Sequence, residues 1–424
     1  MSRQYLEKGP LGGNNSFGKI TKVEDSETKI EYARKEIPRA EKGISLSGMT
    51  VREVSFMRMI KSPHILYAED VIIDDGTLGM ITELMEGSLT DLLSSPIDID
   101  PIMAFAEIVS GISLLHANKI IHSDLKPDNI LFRGGKYKIG DLDSILGLYP
   151  RRRAEVTTIL YRAPEVLAPM SELIAVIDPP LSRVMKISTF TEAIDIWALG
   201  LIFFALITRR SLVASDNAAE LSTQIIRRIW NHPYMSPETF ERYFDKIPMK
   251  YHSLLFGMLE MDPQKRFTIT RVIEEMVTLG HPISTEGIYD DVPVFLPPII
   301  PEWRTAVLEW LNEICAAYKF NISIFLLATD IHDRYMNGIL PTRGTYQGIG
   351  AACLLLSSKL FKRDIDDRIL AKAGAGSFTY EQLLEFEKDI LIKLKFNIYR
   401  YSPLLKRRNE IEILAVAMKE PYNG

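Results

Sequence analysis

A chain of 424 residues that is 46% hydrophobic and 25% charged has the composition of a soluble globular protein with two or three domains. A formal net charge of −5 gives no basic signature for nucleic acid, and no nucleic-acid partner is expected. Two cysteines, Cys315 and Cys353, make no disulfide framework and fit a reducing compartment, cytoplasm or nucleus.

The opening stretch "MSRQYLEKGP" has neither an apolar core nor a Met-Gly start, so neither a signal peptide nor myristoylation is expected. Residues 1–85 alternate short strand-like runs with turns: "GKITKVE", "IEYARKEI", "ILYAEDVII" and "LGMITEL". One helix interrupts them. In "MTVREVSFMRMI" the residues Val51, Val54, Phe56, Met57, Met59 and Ile60 give a broad apolar helical face. From about residue 88 to 280 the patterns are mainly helical, with a loop-rich, proline-broken insertion at 169–190. The run "IWALGLIFFALI", 196–207, is 12 residues long. That is short of the ~20 that span a bilayer, so a buried core helix and no membrane partner are predicted.

Phosphoryl transfer needs phosphates held, charge neutralised and a hydroxyl oriented, and residues suited to these tasks follow one another along the chain. "GGNNSFGKI", 12–20, would close over phosphates through backbone N–H groups, with Gly13 and Gly18 five residues apart and Asn15 between them. Alone it reads as a hairpin turn. "YARKEI" puts Lys35 on a strand after Ala33, where a buried cation holds phosphates if a carboxylate fixes it; Glu53 on the following helix is the candidate. In "HSDLKPDN", Asp124 would orient the substrate hydroxyl, Lys126 would neutralise the transferring group and Asn129 would bind Mg²⁺. "KIGDLDS" supplies Asp141 as the main metal ligand, followed by Leu142-Asp143. "YRAPEVL" gives Glu165 and "MDPQKRF" gives Arg266. With all of these in order, residues 5–280 resemble a eukaryotic protein kinase, and that resemblance implies that Arg266 anchors Glu165. The resemblance implies an α+β bilobal fold, a β-rich N-lobe to about residue 85 and a helical C-lobe, with ATP and Mg²⁺ as cofactors and protein substrates as partners.

The stretch "GISLSGMTVREVSFMRMIKSPHILYAEDVI", 43–72, is similar to the PSTAIRE helix region of cyclin-dependent kinases, as is "EVTTILYRAPEVL", 155–167. That resemblance implies that Thr158 links Asp124 and Lys126. It makes Thr82 the gatekeeper and Glu83–Met85 the adenine-contacting hinge, and has Ile20, Ala33 and Leu131 sandwich the adenine. Arg162 points to Ser/Thr-Pro substrates. In that family three arginines hold a phosphothreonine. Here the first remains as Arg52, the second is Ser123, the third aligns with Leu146, and the threonine itself aligns with Arg153. An arginine cluster without its anion leaves unpaired like charges, so joint loss of reader and ligand is coherent. Activity without phosphorylation of this segment is therefore expected.

"HPISTEGIYDDVPVFLPPIIP", 281–301, carries five prolines and reads as a linker. Residues 302–402 are strongly helical, with Val307, Trp310, Leu311, Ile314 and Tyr318 set on one face. This region resembles a single cyclin box. Arg304, Trp310, Leu311, Glu313 and Tyr318 match its first helix, Asp333-Arg334 its paired charges, Gln347, Gly350 and Ser358-Lys359 its third helix, and 380–405 its fifth. The resemblance implies an Arg304–Asp333 ion pair, and contacts from Lys359 and Glu387 to the kinase around the Glu53 helix. The expectation is a kinase fused to its own activator, docked in cis or exchanged in a dimer. The alternatives are a pseudokinase scaffold, or a cyclin-like module that activates another kinase.

Overall fold

The computed structural model describes residues 3–11, 19–37, 46–74, 77–118, 120–142, 159–167, 174, 191–231, 233, 235–284, 288–289, 301–336, 342–361, 363 and 365–399. Gly13, Gly18, Asp143, Leu146, Arg153, Thr158, most of the 169–190 insertion and the greater part of the linker lie outside them. The contacts divide the chain into two compact units. One is formed by 1–61, 67–84 and 289–424, the other by 62–66 and 85–288.

The first unit contains an antiparallel sheet of β1 (Tyr5–Pro10), β2 (Ile20–Asp25), β3 (Glu31–Ile37), β4 (Ala68–Asp74) and β5 (Thr77–Glu83), in the order β1-β2-β3-β5-β4. Its register pairs Ile20 with Lys35, Lys35 with Met80, and Ala33 with Thr82. Opposed residues share a face and so do residues two apart, so Ile20, Ala33, Lys35 and Thr82 lie on one face of the sheet. Strand β1 follows no alternation the sequence shows: Leu6, Glu7 and Lys8 are all exposed on this sheet edge.

Helix α1 (Gly48–Met59) starts at Ser47, whose hydroxyl caps the Thr50 N–H at 3.1 Å. Every residue predicted for its apolar face is buried, and Val51, Val54, Phe56 and Met57 are at most 2% exposed. Each such side chain contributes about 1.5–3 kcal/mol relative to exposure. At the end of α1, Arg58 donates to the carbonyls of Ala68 and Glu69 at 2.7 and 2.8 Å, tying the helix to β4.

The same unit holds α9 (Pro301–Ala317), α10 (Ile322–Met336), α11 (Arg343–Leu360), α12 (Asp367–Ala373) and α13 (Tyr380–Lys393). Helix α11 is central, with α9, α10, α13 and also α1 packed against it. Close approach needs glycine there, since a Cβ on Gly350 would stand 2.5 Å from Val307 and one on Gly348 2.5 Å from the Phe386 ring. On α9 the buried face is Val307, Leu311, Ile314 and Cys315, whereas Tyr318, expected on that face, is 37% exposed.

The second unit is helical. Helix α3 (Pro101–Ala117) packs on α4 (Ala193–Thr208), with Phe105 and Phe203 ring centroids 4.6 Å apart. Helix α4 contains the 196–207 run, and all but Ile207 of that run is buried, as expected of a core helix. Among the described residues no helix is long and apolar enough to cross a membrane. Short helix α2 (Leu89–Ser94) precedes α3; α5 (Ala218–Ile225), α6 (Pro237–Phe244), α7 (His252–Met258) and α8 (Ile269–Thr278) follow α4. A small antiparallel sheet joins β6 (Gly87–Ser88), β7 (Ile130–Arg133) and β8 (Lys136–Ile139). The β7–β8 turn is Gly134-Gly135, both at positive φ (54° and 73°), the backbone that a two-residue hairpin of this kind demands.

Candidate active site

In the first unit, Lys35 of β3 and Glu53 of α1 form an ion pair at 2.5 Å, with side chains 18% and 8% exposed. The lysine arises on the sheet face that also carries Ile20, Ala33 and Thr82. Glu53 stands one residue after Arg52, which is buried and donates from Nη1 to the backbone carbonyl of Lys359 at 2.6 Å. Lys359 in turn pairs its ammonium with Glu387, both groups being buried. On the neighbouring helices Arg304 grips Asp333 through two parallel bonds, Nε–Oδ1 at 2.9 Å and Nη2–Oδ2 at 2.8 Å, as the cyclin-box resemblance implies. Burial pushes the Asp333 carboxyl up, but bonds from His332 and Arg304 and the guanidinium charge outweigh it and hold the group below its ordinary value.

In the second unit the loop 122–129 hangs from one buried carboxylate. Asp195, at the start of α4 and 1% exposed, accepts the backbone N–H of His122 at 2.8 Å and of Ser123 at 2.9 Å, and contacts His116 Nε2 at 2.9 Å. Ser123 sits at φ 66°, in the left-handed region that a serine seldom visits, and these bonds fix it there. Asp124 and Lys126 are paired at 2.7 Å. Asn129 donates to the Asp124 carbonyl at 2.9 Å, and the Asn129 carbonyl accepts Gly140 N–H at 2.8 Å. His122 Nε2 reaches Gly140 O at 3.0 Å. One network therefore places Asp124, Lys126 and Asn129 beside the end of β8, where Asp141 follows at φ 56°. Leu142 is fully buried, so the residue after Asp141 is an apolar anchor although it is not phenylalanine. Leu131 lies on β7 and Met85 just before β6. Glu165 and Arg266 form the predicted pair, bidentate at 2.8 and 2.9 Å and almost wholly buried, with the guanidinium also stacked over Trp197 at 5.1 Å.

Among the described residues no cluster of three or more His, Cys, Asp or Glu forms a closed metal cage. Asp141 and Asn129 offer one carboxylate and one amide. That set fits Mg²⁺, which takes one or two carboxylates and completes its shell with phosphate and water. Asp195 was not singled out from the sequence. Its signal was there: a carboxylate opening a 12-residue apolar run must be buried, and a buried charge must find donors.

Two family models match the chain: the protein kinase domain over residues 6–277, and the cyclin N-terminal domain over 290–399. The chain belongs to the protein kinase family, with a sheet-rich and a helical lobe followed by a helical cyclin domain. The serine/threonine-protein kinase srb10 of Schizosaccharomyces pombe is 28% identical over 344 residues, covering 67% of this chain and 88% of that protein. A protein of Encephalitozoon cuniculi, named as a probable cell division protein kinase, is 25% identical over 278 residues, covering 65% of this chain and 97% of its own. The CAK complex of Chaetomium thermophilum bound to ATP-gamma-S gives a TM-score of 0.54 at 22% identity, over 66% of this chain and 94% of that one, a likeness of fold.

Proposed function

We propose that this kinase transfers the γ-phosphoryl group of ATP to serine or threonine hydroxyls of protein substrates, preferentially before proline, and that its own cyclin domain activates it. The domains run over 1–280 for the kinase, 281–301 for the linker and 302–424 for the cyclin-like part. The closed Lys35–Glu53 pair on a helix that also receives the Lys359 carbonyl is the observation that carries this reading.

The substrate oxygen attacks the γ-phosphorus as the bond to the β,γ-bridging oxygen breaks, ADP leaves, and the hydroxyl proton passes to Asp124. Lys126 neutralises charge on the transferring group. Lys35, fixed by Glu53, holds the α- and β-phosphates. Asn129 and Asp141 would hold Mg²⁺, which when bound supplies charge neutralisation at the phosphates. By family resemblance Gly13 and Gly18 cover the phosphates, Thr158 supports Asp124 and Lys126, and Ile20, Ala33, Thr82, Glu83, Met85 and Leu131 serve the adenine.

Arg52, the remaining reader of the family's phosphothreonine, bonds here to a carbonyl, and Ser123 carries no charge. Both support activity without phosphorylation of the 151–158 segment. The test is phosphate transfer from Mg-ATP to a Ser/Thr-Pro peptide by protein made in bacteria without an activating kinase. Wild-type transfer, with at least a ~10²-fold loss in Asp141→Asn, is the expected outcome, in line with the weight of electrostatic stabilisation in such sites. Folded wild-type protein that binds nucleotide but transfers nothing would instead mark a scaffold, or a chain that needs another kinase.

A further inference from the structure

The reading above leaves open what holds α1 in the orientation that closes the Lys35–Glu53 pair. A second contact on α1, one turn beyond Arg52, supplies an answer. Phe56 lies four residues after Arg52, so the two occupy neighbouring places on the helix surface. Its ring meets that of Tyr399, with centroids 4.8 Å apart and planes inclined by 35°. Both side chains are no more than 2% exposed.

Tyr399 reaches this place at some conformational cost. Helix α13 ends in a turn where Lys395 and Phe396 have φ of 49° and 59°, a left-handed pair in which neither residue is glycine. Phe396 N–H bonds to Leu391 O at 2.8 Å and Lys395 N–H to Ile392 O at 3.0 Å, closing the turn. Arg334 of α10 then pins the next two residues, donating from Nη1 to Asn397 O at 2.6 Å and from Nη2 to Ile398 O at 2.7 Å. Asp330 accepts the Arg334 Nε at 2.8 Å and neutralises the guanidinium. A charged clamp thus fixes the backbone immediately before a buried aromatic ring, and that ring touches the kinase helix and not only its own helices.

We propose that Tyr399 is a positioning residue for phosphoryl transfer: stacked on Phe56 and aimed by Arg334, it locks the rotation of α1 that keeps Glu53 on Lys35. The proposal rests on the cis-activation reading. A helix turns as a rigid body, so rotation that withdraws Glu53 from Lys35 also drags Phe56 across the Tyr399 ring. The Arg52–Lys359 bond holds α1 at one point, and the ring pair adds a second one turn further along the same helix. The contact seen is ring to ring, so Tyr399→Phe keeps it.

The test uses the full chain as wild type, Tyr399→Ala, Tyr399→Phe and Phe56→Leu. Amide hydrogen exchange in residues 50–59 and steady-state transfer from Mg-ATP to a Ser/Thr-Pro peptide are measured on each. Loss of the ring pair is expected to speed exchange in α1 about tenfold and to lower kcat by about the same factor, with KM for the peptide within about twofold. Tyr399→Phe is expected to match the wild type in both. Unchanged α1 exchange in Tyr399→Ala and Phe56→Leu would overturn the proposal. So would acceleration spread equally over α11, because the ring would then serve only the general packing of the unit. If the wild type transfers no phosphate while α1 exchange still follows Tyr399, the kinase reading fails and the lock stands. If the wild type is active and the variants equal it, the lock alone fails.

Discussion

Ser123 keeps a left-handed backbone at φ 66° because the buried carboxylate of Asp195 accepts its N–H at 2.9 Å. Serine does not signal such a conformation as glycine or asparagine would, so the sequence was silent on it. The Glu165–Arg266 pair was the opposite case, readable through the resemblance of "YRAPEVL" and "MDPQKRF" to protein kinase segments. With exposures of 2% and 0%, removal of one partner leaves the other charged and dry. Arg266→Ala is therefore expected to lower the unfolding free energy by about 3–5 kcal/mol, measured by chemical denaturation. The double change Glu165→Leu with Arg266→Met is expected to recover most of that loss, since it removes both desolvation penalties. A single variant as stable as the wild type would mean the pair is not buried in solution.

Helix α1 was correctly foreseen as a helix, but its sequence pattern gave a broad face where the structure buries almost every residue from 51 to 60. Periodicity reveals the side turned to one partner; α1 has two, the sheet and α11, and a second partner blurs the period. The edge strand β1 was missed for the reverse reason: its outward residues are polar or exposed and leave no alternation to read. On α9 and α10 the Arg304–Asp333 link was read from family resemblance, and it carries a pH prediction. The folded-state pKa of Asp333 lies below its ordinary 3.8, so the pair's stabilisation is fully present above that value and is lost as pH falls through the lower, folded-state pKa. Unfolding of the cyclin-like helices, followed by circular dichroism at stepped pH, is expected to ease below about pH 4. Asp333→Asn should be less stable at neutral pH and should show a shallower acid dependence. Equal slopes for the two proteins would assign the acid response to other carboxylates.

The first compact unit joins the two ends of the chain, 1–84 apart from the short 62–66 segment, and 289–424, while the second is built from what lies between. A sequence read in order suggests a kinase followed by an appendage. Composition and periodicity do not suggest that the appendage and the N-terminal sheet share one contact network, because sequence separation of 307 residues, as between Arg52 and Lys359, leaves no local trace; only the resemblance to a cyclin box implied a contact from Lys359 to the Glu53 helix. On the proposed cis reading the linker makes such pairing intramolecular, at an effective concentration on the order of millimolar, far above any working concentration of the protein. The specific activity of the intact chain should therefore not change on dilution from micromolar to nanomolar. A protease site placed in residues 290–300 and cut after folding should convert that flat response into a falling one, with half the activity lost near the dissociation constant of the separated parts. A dilution-dependent activity in the intact chain, accompanied by a dimer on sizing chromatography, would instead assign the cyclin domain to the neighbouring copy. Activity that survives both cutting and dilution would mean that the kinase needs no cyclin contact at all, and the cis reading would fall with it.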